Sequence, residues 1–479
     1  MSDDFEKILD DLWPYRRTTE TFRRFPEQGL PRDQVLAEVT DMARGEDAIA
    51  DDGRVSGSIY SGDHDHYAFL SEVFHQFAHV NVLQRDMYPS STKFESEIVA
   101  MTADMLSAEV ARATDPGADP CGVLTSGGSE SLITALYSYR EEAREARGVT
   151  RPNVVIPVTA HVALDKGAHW MNIELRKAPL GPDWKVDVEA VAGLIDDQTI
   201  ALVGSAGNYG HGLIDDIPAL AALALEHGIG LHVDGCLGGF ILPWGEKLGY
   251  DIPPWDLRVP GVTSISADTH KYGYGLKGTS VLVYRTKELR RRQYFTAPDW
   301  PGGLYLSPGL AGSRSGGLIA STWASMVTMG EEGYLRVAEG IFATAATIRD
   351  GIRARIPEIE VIGDPTFLVA FRSDVVDMYL VNDALKARGW RMNALHLPPA
   401  LHFCITRPNT QAGVAEAFLD DLTDAVAYAV AHHGEPAASG AVYGLGGTPS
   451  GFGTIGQLMS GIIDAMFEPA PPPTPVPPA

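Results

Sequence analysis

Cysteine is scarce in this 479-residue chain: only Cys121, Cys236 and Cys404 occur. Three thiols at such spacing fit neither a zinc site nor a disulfide framework, and they suit a reducing compartment. Long apolar runs are missing too. No stretch of about 18 consecutive apolar residues is found, so the sequence predicts no membrane span. The acidic, amphipathic opening MSDDFEKILDDLW is not a secretory signal. Positive charge is in deficit, with 38 Lys and Arg against 62 Asp and Glu and a formal net charge of −24. Such a field argues against nucleic acid or an anionic membrane as the main partner, and an anionic substrate needs a local basic pocket. A G-x-G-x-x-G turn after the first strand is absent, which removes the usual dinucleotide signature. No internal repeat is visible. The expectation is a cytoplasmic protein acting on a small molecule.

What is present is ordinary globular composition, 45% hydrophobic and 9% aromatic, in a chain long enough for two or three domains. Residues 262–285, VTSISADTHKYGYGLKGTSVLVYR, organise the rest. An apolar alternating run (262–266) predicts a buried strand, and 279–284 its hairpin-like partner. Between them a Gly- and Tyr-rich turn carries Asp268, His270, Lys271 and Lys277. These are either two solvated lysines on an ordinary loop or a desolvated amine beside a second cation, the setting that lowers a lysine pKa for Schiff-base chemistry.

Taken in order, residues 53–66 read as a polar, glycine-rich loop able to present Tyr60. His64 and His66 flank Asp65 there, but no further ligand makes a metal site. Helical spacing follows over 69–82, then a turn (81–89) and one long amphipathic helix over 94–113. From Cys121 strand and helix signals alternate, which implies a mostly parallel sheet with covering helices. The turn Ser126-Gly127-Gly128-Ser129-Glu130, with Ser129 as helix cap, is either an anion site or a glycine turn needed for geometry alone. Strands are predicted at 153–158, 200–204 and 229–232. The last ends in His232-Val-Asp234-Gly-Cys236, placing an acid where open α/β sheets bind ligands, or capping a helix. Residues 290–317 suit a lid or subunit contact. After a long helix (321–355) comes a smaller unit with strands at 361–362, 367–371 and 402–405 and a helix at 376–388. We expect an N-terminal segment (1–95), a large domain (96–335), a small C-terminal domain (336–467) and an extended Pro-rich tail (468–479).

Together the loops offer a phosphate turn (Gly128, Ser129), a ring-sized His161, the acid Asp234 and the amine Lys271. Pyridoxal phosphate needs donors for its phosphate, a stacking partner, a carboxylate for its ring nitrogen and an amine for its aldehyde. At SADTHKYGYGLKGTSVLVYR, HVDGCLGGF, SGGSES, AGSRSGG and LHFCIT the sequence resembles the pyridoxal-phosphate enzymes of fold type I, specifically the sphingosine-1-phosphate lyases. The resemblance runs over about 56–444.

It implies an α/β fold of the aspartate aminotransferase type, with a large domain around a mostly parallel sheet and a small C-terminal α/β domain. It also implies pyridoxal 5′-phosphate on Lys271, its phosphate held by His270, Gly128 and Ser129, its ring stacked by His161 and its nitrogen paired with Asp234. In a homodimer with shared sites, Ser313 would reach the neighbour's cofactor. Lys277, Tyr209, Asn81 and Tyr60 would line the pocket for a lipid phosphate, with Tyr443 closing it. The implied reaction is retro-aldol cleavage of a phosphorylated long-chain base into a fatty aldehyde and phosphoethanolamine. Lys277 or a pocket tyrosine would take the hydroxyl proton. An amino-acid decarboxylase, or an aldolase acting on another amino alcohol, is the alternative.

The chain departs from the pattern in three places. Gln84 stands where the lyases carry a histidine toward the substrate phosphate, a contact worth about 1.5–3 kcal/mol, and Arg85 compensates only if it points inward. The turn reads Tyr-Gly-Leu-Lys where relatives have Tyr-Ala-Pro-Lys, and Ser315 replaces a usual proline. The membrane anchor of eukaryotic relatives is not expected here.

Overall fold

The structure, a computed structural model, describes residues 15, 21–48, 51–439 and 452–469. Its centre is a seven-stranded sheet built from β1 (Cys121–Thr125), β2 (Asn153–Pro157), β3 (Glu174–Ala178), β4 (Thr199–Ser205), β5 (Gly230–Asp234), β6 (Ser264–Ala267) and β7 (Ser280–Tyr284). The order across the sheet is β1-β7-β6-β5-β4-β2-β3. β3, β2, β4, β5 and β6 run parallel, while β7 is antiparallel to both β6 and β1. β2, β4, β6 and β7 are buried along their whole length and β5 at every residue but Gly230, as expected of a sheet covered on both faces. One apolar cluster, with Val233, Ile265 and Val283, lies on one face; a second, with Leu136, Val154 and Leu282, lies on the other.

Two short strands, β8 (Phe295–Ala297) and β9 (Tyr305–Ser307), form a hairpin beyond β7, where the sequence predicted only loop. A four-stranded antiparallel sheet follows, from β10 (Glu360–Val361), β11 (Leu368–Arg372), β12 (Asn393–His396) and β13 (Pro399–Cys404), in the order β10-β11-β13-β12. Helices Met378–Ala387 and Val414–Ala431 close over it through Trp390, Phe403 and Phe418, with ring centroids of Phe403 and Phe418 4.7 Å apart.

Three expectations need correction. The single helix over 94–113 is two, Pro89–Met105 and Ala108–Thr114, because Ser107 takes a left-handed φ of 66° and its Oγ donates to Asp256 Oδ2 at 3.0 Å. The long helix, Gly316–Arg355, is broken at Gly330 (φ 53°, ψ 179°). The polar loop before His64, expected to present Tyr60, instead buries that ring together with Gly53, Ser56, Gly57 and Ser61. Ser56 N–H donates to the Arg391 carbonyl and Gly57 N–H to the Cys404 carbonyl, both at 2.9 Å, so this loop lies along the small sheet and carries Tyr60 inward.

Helix Pro89–Met105 is tied to the segment before Gly316 by one buried carboxylate. Glu95 accepts from Arg314 Nη1 at 2.6 Å and pairs with Arg85. Burial pushes its pKa up, but the hydrogen bonds and charges of Arg314 and Arg85 outweigh this and hold it below the usual carboxylate value. A depressed folded-state pKa gives stability that is complete above the ordinary glutamate value of about 4.3 and is lost as pH falls through the lower folded value. Glu95→Ala should therefore cost about 3–5 kcal/mol in urea unfolding at pH 7, since two cations lose their partner. The penalty should shrink below about pH 4; an equal penalty at both pH values would contradict the assignment.

Candidate active site

The site is built on the turn between β6 and β7. Gly273 is required there, because a Cβ would lie 2.5 Å from the Thr269 carbonyl oxygen. Tyr274 takes a φ of 58°, and Gly275 N–H closes the turn onto Thr269 O at 2.9 Å. The turn is clamped from outside as well. Thr269 Oγ1 donates to Thr279 Oγ1 (2.7 Å), which contacts Thr322 Oγ1 (2.9 Å); Ser325 Oγ and Tyr334 OH both donate to the Gly273 carbonyl at 3.1 and 3.0 Å. A backbone so held fixes the direction in which Lys271 leaves it.

Lys271 Nζ lies 3.1 Å from Asp268 Oδ2. Burial pushes the ammonium pKa down, but Asp268, then Cys236, Tyr60 and Asp234, push it up further, and the net shift is upward. The depressed amine expected from two neighbouring lysines is instead Lys277, lowered to about 8 by burial and by the charge of Lys271. Lys277 Nζ donates to the His270 carbonyl at 3.2 Å and sits 4.7 Å above the Tyr60 ring. His270 Nδ1–H donates to the Thr279 carbonyl at 2.6 Å, which orients its ring. Burial, with Lys277 and Lys271, holds its pKa below the usual histidine value.

Asp234 ends β5 beside β6. Its Oδ1 accepts from Cys236 N–H at 3.0 Å and from Ser266 Oγ at 3.3 Å, Ser266 being its register partner. The Cys236 thiol donates to the same Ser266 Oγ at 3.2 Å, and burial raises its pKa far from the reactive range. β1 delivers the glycine turn. Gly127 is the N-cap of helix Gly128–Arg147, with no side-chain cap, so Ser129 stands in the first turn and does not cap. A Cβ on Gly128 would meet Asp268 Oδ2 and Cys236 Sγ at 2.8 Å. The turn therefore lies directly against the Lys271 loop, and only glycine allows that approach.

Other expected residues group elsewhere. The His161 ring accepts from Ala163 N–H through Nδ1 (3.1 Å) and meets Tyr209 edge-on with centroids 6.4 Å apart; Tyr209 in turn meets His402 at 5.0 Å. Tyr60 is within electrostatic reach of Lys271, Asp268 and Tyr209, which links the two groups. Asn81 Nδ2 donates to Ser313 Oγ at 2.9 Å, and among the described residues no hydrogen bond, ion pair or ring contact joins either to Lys271. Gln84 is exposed. Arg85 does not point inward as a substitute: it is spent on Glu95 and on Thr92 Oγ1 (3.1 Å), beside a separate cavity of about 560 Å³ that Arg290 also lines. His64 and His66 diverge, to Asp51 Oδ1 (3.0 Å) and the Tyr274 carbonyl (2.9 Å). Tyr443 lies outside the described residues.

Sequence reasoning passed over Asp268 and Cys236 as site residues. The i,i+3 spacing of Asp268 and Lys271 on one turn was the available signal; Cys236 gave none.

The Lys271 amine, the strand-end Asp234 carboxylate, the His270 imidazole and a glycine-opened helix N-terminus converge here, and with no side-chain cap on that helix its first N–H groups are available to a phosphate. These groups fit pyridoxal phosphate. The pyridoxal-dependent decarboxylase conserved domain matches residues 55–374. The chain belongs to that family. Within it, the chain is 40% identical over 471 residues to the sphingosine-1-phosphate lyase of Arabidopsis thaliana, covering 96% of this chain and 85% of that protein. The solved sphingosine-1-phosphate lyase of Burkholderia pseudomallei is similar at 48% identity with a TM-score of 0.89, over 95% of this chain and 99% of that one. An L-aspartate/L-glutamate decarboxylase of Pyrococcus horikoshii is 31% identical over 84% of this chain and 99% of its own length. A Lactobacillus brevis glutamate decarboxylase, at 21% identity and TM-score 0.72 over 87% of this chain and 97% of that one, shares the fold. Fold type I is thus the architecture, and pyridoxal 5′-phosphate is the cofactor of this family member.

Because a methyl on Gly128 must displace Asp268 and Cys236, Gly128→Ala should weaken cofactor binding about tenfold or more, overpacking costing about 1–3 kcal/mol. Gly193→Ala, whose Cβ would meet nothing within 4 Å, is the control. Absorbance titration of the stripped chain with cofactor checks this; equal affinities for the two variants would refute the close approach.

Proposed function

We propose that this chain cleaves a phosphorylated long-chain 2-amino alcohol of the sphingosine 1-phosphate kind. The bond broken joins the amine-bearing and hydroxyl-bearing carbons, and the products are a fatty aldehyde and phosphoethanolamine. The observation that carries this reading is Lys277: a second cation in the Lys271 turn, held over the Tyr60 ring beside the amine that a substrate displaces from the cofactor, and so available to a substrate phosphate. The full-length likeness to proteins named sphingosine-1-phosphate lyase supports it.

When bound, pyridoxal 5′-phosphate supplies an aldehyde for amines and a protonated ring that takes up electron density from a breaking bond. In this reading Lys271 is the amine that holds it, Asp234 keeps the ring nitrogen protonated, and His161 covers the ring face. Gly128, Ser129 and His270 receive its phosphate. Lys277, Tyr60 and Tyr209 bind the substrate head group, and Lys277 or a pocket tyrosine takes the hydroxyl proton. The Asn81–Ser313 pair, with Gln84 beside it, faces outward in this chain and serves the site of a second copy, which makes the active form a homodimer. The division at 95/96, 335/336 and 467/468 remains our proposed domain organisation. Among the described residues no helix is long and apolar enough to cross a membrane, and we place the protein in the cytoplasm, where its substrate must be delivered to it.

Incubation of the holoenzyme with sphingosine 1-phosphate should yield phosphoethanolamine and a fatty aldehyde in equal amounts. Carbon dioxide from aspartate or glutamate, with no aldehyde, would establish the decarboxylase instead. The Lys277 ammonium grips the phosphate below its pKa of about 8 and loses charge above it. KM should therefore rise between pH 7 and 9, and Lys277→Met should raise KM about tenfold at pH 7 and abolish that rise. A Lys277→Met profile matching wild type would remove the residue from substrate binding.

A further inference from the structure

The turn between β6 and β7 holds one carboxylate that neither the cofactor roles nor the packing of the sheet accounts for. Asp268 is 2% exposed. Its Oδ2 faces Lys271 Nζ at 3.1 Å and His270 Nε2 at 3.7 Å, while Oδ1 is buried with no hydrogen-bond partner among the described residues. Both oxygens lie within 2.9 Å of where a Gly128 Cβ would be. Burying a carboxylate with one oxygen unsatisfied is costly, and an apolar side chain of similar size would fill the space without that cost. The position is explained by what Oδ2 does to Lys271.

We propose that Asp268 is a positioning residue whose carboxylate aims Lys271 Nζ and favours its protonated form until the amine gives up that proton in the reaction. This rests on the lyase reading above. There, after the aldehyde departs, the electron pair of the broken carbon–carbon bond must form a C–H bond. Lys271 supplies the proton: its N–H bond breaks, it becomes a neutral amine, and Asp268 keeps its charge. The neutral amine is then the form able to take the cofactor back.

The groups facing this pair from the surrounding elements are Asp234 at the end of β5, Cys236 after it, Tyr60 from the 53–62 loop, Cys404 from β13, and His270 and Lys277 on the turn itself. Lys277 opposes the charge on Lys271. Burial opposes it too, and it is Asp268, ahead of Cys236, Tyr60 and Asp234, that reverses the outcome. Asp234 cannot substitute, since the hydrogen bonds to its Oδ1 from Cys236 and Ser266 turn it toward β6.

The test is pulse acetylation of the full chain stripped of cofactor, with labelling at each lysine read by peptide mass spectrometry across pH. In the wild type, Lys277 should label half-maximally near pH 8, while Lys271 stays protected past the ordinary lysine value of about 10.4. Asp268→Asn should label Lys271 at least about tenfold faster at pH 9, a shift of one pKa unit or more, and Asp268→Glu should restore protection. An unchanged Lys271 profile in Asp268→Asn would overturn the proposal. So would wild-type Lys271 labelling at or below the pH of Lys277, an outcome that holds even if the Asn variant does not fold. Labelling needs no substrate: a failed prediction here with intact cleavage of sphingosine 1-phosphate counts against Asp268 alone, and the converse counts against the lyase reading.

Discussion

The structure depends on a short turn that must be both tight and charged. Residues 268–278 connect two central strands, and their backbone is closed by Gly275 on Thr269 and clamped by Thr279, Thr322, Ser325 and Tyr334. Two lysines and an aspartate leave that backbone in directions the clamp fixes. A looser turn would let both ammonium groups swing to solvent, and neither the ion pair of Lys271 nor the cation–ring contact of Lys277 would hold. Rigidity here is what converts ordinary side chains into a reacting group and a binding group.

Everything else is arranged to reach this turn. β5 presents Asp234, β1 and its glycine turn bring a helix N-terminus against Asp268, and the loop along the small sheet delivers Tyr60. The long helix Gly316–Arg355 contributes Thr322, Ser325 and Tyr334, so the segment that joins the two sheets also braces the turn. In a chain with a net charge of −24, Arg85 and Arg314 are neutralised on Glu95 and Lys271 on Asp268, while among the described residues Lys277 has no carboxylate within ion-pair distance. An anion attracted to this surface finds its cation there.

The sheet was legible because its strands are short apolar runs punctuated by glycine, and β6 and β7 with their turn could be read almost residue by residue. β3 escaped notice, since it is an edge strand with exposed Glu174 and Lys177 and has no apolar pattern to detect. The break at Ser107 depends on Asp256, which lies 149 residues away. Burial of the 53–62 loop depends on β13, and the pairing of Asn81 with Ser313 spans 232 residues. None of these is written in local composition. In the site, residue types gave Lys271, Lys277, Asp234 and His161, and likeness to a family gave Ser313 and Asn81. The reversal between the two lysines needed coordinates, because which amine is depressed is decided by one carboxylate oxygen at 3.1 Å.

The most direct test of this arrangement is borohydride reduction of the holoenzyme, followed by digestion and mass spectrometry of the peptide that retains the cofactor. The clamped turn and the distinct surroundings of its two lysines predict a stable adduct on Lys271 and none on Lys277. An adduct on Lys277, or on neither residue of the turn, would contradict the account.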